Sequence, residues 1–238
     1  MAGVIQSAVG FGFGLFATPL LMHTGLPLPN AIAIVILSSL AQTLIGSRHL
    51  RESVPWRYSF TAAGIRTVVA ISGLFVLKKL TTLTVADVKL VVGLVLCLAV
   101  GLQSIRVKPV ETLHWAWGAV AFGSSGFLAG LCGMGGPPLV LWALAHDWPS
   151  RKTRGFLFAT FACSIPGHIL LLSLLFGTEI VKSAGIGLLM LPATFLGVVI
   201  GLPIGNRIPR LLLRRIVYAL LLGIGISAIV PTLTRYLG

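Results

Sequence analysis

Few side chains in this sequence have chemistry to offer inside its apolar blocks. Arg66, in AAGIRTVVAIS, is the basic residue well inside such a block, and His168, in CSIPGHILL, is the histidine in the middle of one. An arginine at the centre of a bilayer costs at least about 2.5 kcal/mol, tolerable where it faces a cavity or an anion; the plainer reading is a stem that reaches a headgroup. His168 titrates near physiological pH when unperturbed, so it could carry a proton, or it could be a neutral core histidine. Polar residues cluster in two further blocks: Ser38, Ser39, Gln42 and Thr43 in one, Thr160, Cys163, Ser164 and Pro166 in the other. Positions i and i+4 share a helix face, so Ser38 with Gln42, and Thr160 with Ser164, form stripes that could solvate an oxyanion without burying a charge. The plainer reading is hydrogen bonding between helices, worth about 0.6 kcal/mol per bond.

Two glycine clusters complete the set. Gly10, Gly12 and Gly14 precede Pro19; Gly130, Gly133, Gly135 and Gly136 run into Pro137 and Pro138. Gly and Pro together break a helix. In lipid, broken backbone survives only against protein or a water-filled cavity, and freed N–H groups and helix ends point into such a break. A kink or close glycine packing is the competing account. His23 and His146 follow the two clusters at matching positions, suited to the interface or to gating. Arg151, Lys152 and Arg154 follow the second cluster, as a topology signal that could also draw anions toward the mouth.

The acidic residues point the same way by their absence. Glu52, Asp87, Glu111, Asp147 and Glu179, all five in the chain, fall in or beside the connections between blocks. A cation at membrane depth needs a negative partner, so a neutral-to-positive interior favours an anionic ligand. There is no HExxH, no G-x-S-x-G, no intramembrane carboxylate pair and no metal-ligand cluster, so neither an enzyme nor a metal or other cofactor is expected. Cys97, Cys132 and Cys163 lie in apolar blocks without CxxC spacing and read as small core residues.

The elements that carry these residues are membrane helices. The chain has 238 residues, 56% hydrophobic and 10% charged, with a mean hydropathy of +1.01, against about 25% charged in a soluble domain. Continuous apolar blocks lie at about 1–21, 30–47, 58–77, 90–105, 115–145, 155–176, 183–204 and 216–234; a spanning helix needs roughly 20 residues, and a β-barrel would alternate instead. The expected fold is an all-α polytopic membrane protein of about eight segments. The net charge of +13 lies mostly between blocks, where it serves topology and anionic lipid rather than nucleic acid. Trp56, Trp115 and Trp148 fit an interfacial belt. The start has no basic n-region or cleavage motif, so it reads as a first membrane segment, not a secretory signal.

A shift of 123 residues sets Gly10 on Gly133, Gly12 on Gly135 and His23 on His146. Residues 1–108 and 109–238 thus read as two repeats of one transmembrane domain, each opening on an interrupted segment. Met1 falls on Ser124 under this shift, so the first repeat is expected to have a shortened leading arm or a start upstream. If each interrupted segment crosses once, the repeats are parallel and the basic residues divide weakly. If the second is a re-entrant hairpin, the repeats are inverted, and Arg48, Arg51, Arg57, Arg106, Lys108, Arg151, Lys152, Arg154 and the arginines of 207–215 share one side. The positive-inside rule prefers the inverted arrangement.

The stretches VGFGFGLFATPLL and GLCGMGGPPLVL, each near the start of a half and each followed by a short turn and a polar-dotted helix, resemble the motifs of the sulfite exporter TauE/SafE family. Phe11 and Phe13 stand where that family more often has a denser glycine run. The resemblance implies a multi-pass transporter of the bacterial inner membrane, exporting sulfite, sulfonate-type or other small organic anions. With the residue reading, it leads to a secondary carrier working by alternating access. Its anion would bind between the breaks at Gly10, Gly12, Gly14, Gly133, Gly135, Gly136 and Pro137, with Ser38, Gln42, Arg66, Thr160 and Ser164. Proton coupling or gating would fall to His168, His23 or His146. A homo-oligomer is left open. A passive anion channel, or a carrier of another small metabolite, would share these features; a non-transporting scaffold would not explain the duplicated breaks.

Overall fold

Prolines and glycines punctuate the helices. The computed structural model describes residues 12–104, 110 and 113–197, with five isolated positions beyond; Gly10, most of the basic connection after the fourth block, and the continuity of the last block lie outside them. α1 (Phe13–His23) starts at Gly12, whose φ of 106° is left-handed. α2 (Leu28–Ser38) and α3 (Leu40–His49) form one apolar rod from Pro27. α4 (Trp56–Leu80) begins after Pro55 and α5 (Val85–Ser104) follows a short turn. α6 (Trp115–Cys132) ends on Gly133, with φ 72°, and α7 (Gly136–Leu144) carries Pro137 and Pro138 in its first turn, where no N–H is needed. α8 (Ser150–Phe176) starts after Pro149 and stops at Gly177, with φ 78°. α9 (Thr178–Leu189) follows.

Five helices among the described residues are long and apolar enough to cross a membrane: Leu28–His49, Trp56–Leu80, Val85–Leu102, Trp115–Cys132 and Ser150–Phe176. A sixth is made if α9 and the short helix Leu191–Gly197, bent by 44° at Met190, count as one. The apolar block expected at about 183–204 is thus bent within the described residues rather than straight. Pro192 supplies the reason, since it has no N–H for the carbonyl four residues earlier. The second interrupted block also divides unequally: α6 alone is about 27 Å long, and α7 half that.

Small residues let the central helices close on each other. On α6, Gly126 lies against the backbone of Arg66, and Gly130 against Ala70 and Leu74; on α4, Gly73 lies against Phe127. A Cβ at any of these three would collide with backbone, so the α4–α6 crossing is the close small-residue packing that membrane helices use in place of a hydrophobic driving force. α8 runs beside α4, with Gly167 against Thr67, and beside α3, with Gly46 against Phe158. α9 packs on α2, where Asn30 Nδ2 donates to Ser183 Oγ at 2.8 Å and Gly187 nests against Ile34.

α6 and α7 form a helical hairpin. Trp142 of α7 packs edge-on to Phe122 of α6 at 4.8 Å, and Val110 N–H donates to Ala145 O at 3.0 Å, so the hairpin's two ends meet. The start of α4 comes to the same end, with Tyr58 5.7 Å from Trp142. So does the end of α3, with Leu50 and Val54 against Gly155 at the start of α8. Arg48, Arg51, Arg57, Arg151, Lys152 and Arg154 therefore gather at one end of the bundle. Lys78 and Lys79 lie at the other, at the far end of α4, with Lys89 near the start of α5 just after it and Lys182 near the start of α9 just after α8.

Candidate functional site

The two glycine breaks meet in the middle of this bundle. A Cβ on Gly14 would run into the carbonyl of Gly133, and one on Gly133 would lie 3.4 Å from Thr18 Oγ1. The second break is tightly made. Gly133 N–H donates to Ala129 O at 2.9 Å and Met134 N–H to Leu128 O at 3.3 Å, a glycine C-cap that closes α6. Ser125 Oγ donates to the carbonyl of Gly135, tying the break back onto α6. Pro137 and Pro138 have no N–H, so Gly135 and Gly136 hold the donors at the start of α7. Among the described residues, no carbonyl accepts from either.

Beside these donors is a cavity of about 90 Å³. The first break brings Gly12 and Gly14 to it, α3 and its junction with α2 bring Ser39 and Thr43, and α4 brings Arg66; the second break contributes Gly133, Gly135 and Gly136, and α8 contributes Phe161, Ser164 and His168. Arg66 is 4% exposed. Its guanidinium stacks over Phe161 at 5.0 Å and sits beside Gly135, where a Cβ would come within 3.1 Å of a terminal nitrogen. Nε and one terminal nitrogen of Arg66 have no hydrogen-bond partner. His168, also buried, faces Ser164 O with Nδ1 at 2.9 Å, and its Nε2 has none. Among the described residues, no Asp or Glu lines the cavity. A buried arginine keeps its charge, so the site is a cation without a counter-ion, ringed by glycine backbone and hydroxyls. That arrangement can neutralise and hydrogen-bond a small anion.

The structure brings Gly12, Gly14, Arg66, Gly133, Gly135, Gly136, Ser164 and His168 to one cavity; Gly10 lies outside the described residues, and the other expected residues do not line the cavity. Ser38 Oγ donates to Ile34 O at 2.7 Å and faces Gly187 O at 3.3 Å, and Gln42 Nε2 donates to Thr194 O at 3.4 Å; both belong to the α9 side. Pro137 is buried in the start of α7. Thr160 is fully buried with an unpartnered hydroxyl, one turn of α8 before Ser164. His23 is exposed at the end of α1. His146 is stacked among Trp142, Trp148 and Tyr58, with Nδ1 3.0 Å from Trp142 O. Residues outside the expected binding set also line the cavity: Ser39 and Thr43, members of the same polar cluster one position along from the chosen stripe, and Phe161, which spaces with Ser164 and His168 on one face of α8.

A sequence model of the family described as "Sulfite exporter TauE/SafE" matches residues 1–228. The chain belongs to the sulfite exporter TauE/SafE family. It is 26% identical over 243 residues, covering 97% of this chain and 91% of the relative, to the "Probable sulfite/organosulfonate exporter TauE" of Cupriavidus necator. No solved structure matches significantly. Family membership and the apolar helices make this TauE/SafE member a multi-pass transport protein of the bacterial cell membrane.

Proposed function

We propose that this protein is a secondary carrier that exports small sulfur oxyanions, sulfite or sulfonates, binding them in the cavity between the two glycine breaks. The observation that carries this reading is Arg66: a buried cation, with two nitrogens unpartnered and, among the described residues, no carboxylate in its cavity and no carbonyl accepting from the neighbouring N–H groups of Gly135 and Gly136. The substrate class follows the printed name of the relative and the chemistry of the site. Guanidinium forks match oxyanions, and a cavity of about 90 Å³ suits an anion of few heavy atoms.

Alternating access between two inverted repeats is the motion we propose. The 123-residue shift carries Phe13, the start of α1, onto Gly136, the start of α7; it carries Leu28 to one residue inside α8 and Trp56 to one residue inside α9. The rod α2–α3 and its counterpart α8 run antiparallel, Leu50 lying by Gly155 and Gly46 by Phe158. Equivalent helices in opposite directions are what inverted repeats require. The re-entrant hairpin α6–α7 and the basic end on the cytoplasmic side complete that reading.

Counterflow in proteoliposomes tests it. Protein reconstituted with internal sulfite should accelerate uptake of labelled sulfite from outside, and Arg66→Gln should remove the effect. Saturable exchange is the mark of a carrier. Flux with no stimulation by internal substrate would make the protein a passive pathway, and no sulfur-oxyanion flux at all would overturn the substrate class.

A further inference from the structure

The cavity has a second polar group that a bare oxyanion does not use. His168 lines it together with Arg66, and Gly167 against Thr67 sets the two residues at one level of the α4–α8 pair. Nδ1 lies 2.9 Å from the carbonyl of Ser164. A carbonyl only accepts, so Nδ1 carries the ring's proton, and in the neutral imidazole Nε2 is then an acceptor. Nε2 is buried and unpartnered, which makes a lone pair the one thing His168 offers the cavity. A fully ionised oxyanion would set its own lone pairs against that one. A buried polar atom left unsatisfied is costly.

Charge counts in the same direction. Among the described residues, Arg66 is the charged side chain that lines the cavity. α1 and the second break add glycines and apolar groups, α2 and α3 add the hydroxyls of Ser39 and Thr43, and α6 adds Ala129. On α9, Lys182 and Glu179 are exposed and paired with each other at 2.7 Å. One fixed positive charge balances one negative charge; a dianion would leave an uncompensated charge in the interior.

We propose that His168 makes this cavity selective for a singly charged oxyanion that brings an acidic proton with it, of the hydrogen-sulfite type, the proton lying between a ligand oxygen and Nε2 while Arg66 neutralises the charge. A dianion entering with a protonated His168 gives the same complex, so in either order one proton accompanies the anion into the site. The balance is simple: ligand and histidine together hold one proton more than a bare dianion with a neutral ring, and no bond other than O–H or N–H is made or broken. This specificity rests on the anion-binding reading above.

An isosteric pair tests it. Methylphosphonate as its monoanion and methanesulfonate share shape and charge, but the first has one O–H and the second has none. Calorimetric titration of the detergent-purified protein, at a pH below the second ionisation of the phosphonate, should show methylphosphonate binding about tenfold more tightly, the equivalent of one hydrogen bond of about 1.4 kcal/mol. In His168→Gln, whose amide can turn either its acceptor or its donor to the ligand, the two should bind within about twofold. In Arg66→Gln neither should bind. Equal affinity, or a preference for methanesulfonate, in a wild-type protein whose binding still depends on Arg66 would overturn the role of His168 and leave the anion site standing. A preference for methylphosphonate that survives in His168→Gln would also overturn it. Binding of neither anion by the wild type would overturn the anion site and this selectivity together.

Discussion

A glycine at the centre of the site does two jobs, and a single methyl group separates them. At Gly135 a Cβ would press on the carbonyl of Ser125, come within 2.9 Å of the Ala129 Cβ, and approach a terminal nitrogen of Arg66 at 3.1 Å. Gly135→Ala should therefore destabilise the hairpin by about 1–3 kcal/mol, the usual cost of overpacking, and displace the guanidinium as well. Thermal unfolding in detergent checks this against Gly123→Ala on α6, where a Cβ meets nothing within 4 Å and the change should be neutral or slightly stabilising. Equal melting temperatures for the two variants would refute the close approach. The glycine clusters and Arg66 were legible in the sequence because backbone breaks and buried charge are rare within apolar blocks. The side of the polar helix was not. Ser38/Gln42 and Ser39/Thr43 are equally good stripes one residue apart, and one residue turns a helix by about 100°. The choice is made by Gly187 and Thr194, which accept contacts from Ser38 and Gln42 on the far side.

At the scale of elements, the crossing of α4 and α6 holds the site together. Gly126 and Gly130 bring the backbone of Arg66 and Ala70 into contact with α6, so the residue that carries the charge is positioned by a backbone-to-backbone helix crossing. Gly126→Leu should force the helices apart and prevent recovery of a monodisperse, folded protein, whereas Gly64→Leu on α4, where a Cβ meets nothing within 4 Å, should be recovered normally. Size-exclusion profiles of the two variants compare them directly; a well-behaved Gly126→Leu would show that this crossing is not what packs the site. The blocks expected at about 30–47, 58–77 and 155–176 became helices at Leu28–His49, Trp56–Leu80 and Ser150–Phe176, because a continuous apolar stretch of that length has one solution in lipid. The bend at Met190 escaped, since a lone proline within an apolar block leaves open whether the helix bends: Pro166 sits inside the unbroken α8, while Pro192 follows a change of direction.

For the whole molecule, the inverted arrangement proposed for the two repeats has a topological consequence. In the bundle the start of α4 and the start of α8 share an end, so Arg57 and Arg151 should face the same compartment. Lys79 and Lys182 should face the opposite one. Parallel repeats with eight single crossings would instead part Arg57 from Arg151. Single cysteines at these four positions, in a background with Cys97, Cys132 and Cys163 replaced, can be labelled with an impermeant maleimide in whole cells and in inverted vesicles. Labelling of Arg57→Cys and Arg151→Cys from the same side, the cytoplasmic one by the positive-inside rule, is the expected result. The paired motifs suggested in the sequence that the two breaks meet, as Gly14 and Gly133 do; which of their residues touch was not legible, because that depends on how two distant helices dock.

The measurement that bears most directly on the anion site is ligand-dependent thermal stability of the purified protein. A ligand that binds only the folded state stabilises it by mass action, about 2.7 kcal/mol at a hundred times its Kd. Sulfite, and at higher concentration a small sulfonate, should raise the melting temperature in a saturable way; sodium, potassium and divalent metal salts of an inert anion should not. Arg66→Gln should fold and lose the response. Stabilisation by a cation with the oxyanions silent, or a sulfite response undiminished in Arg66→Gln, would contradict the assignment of this cavity as the anion site.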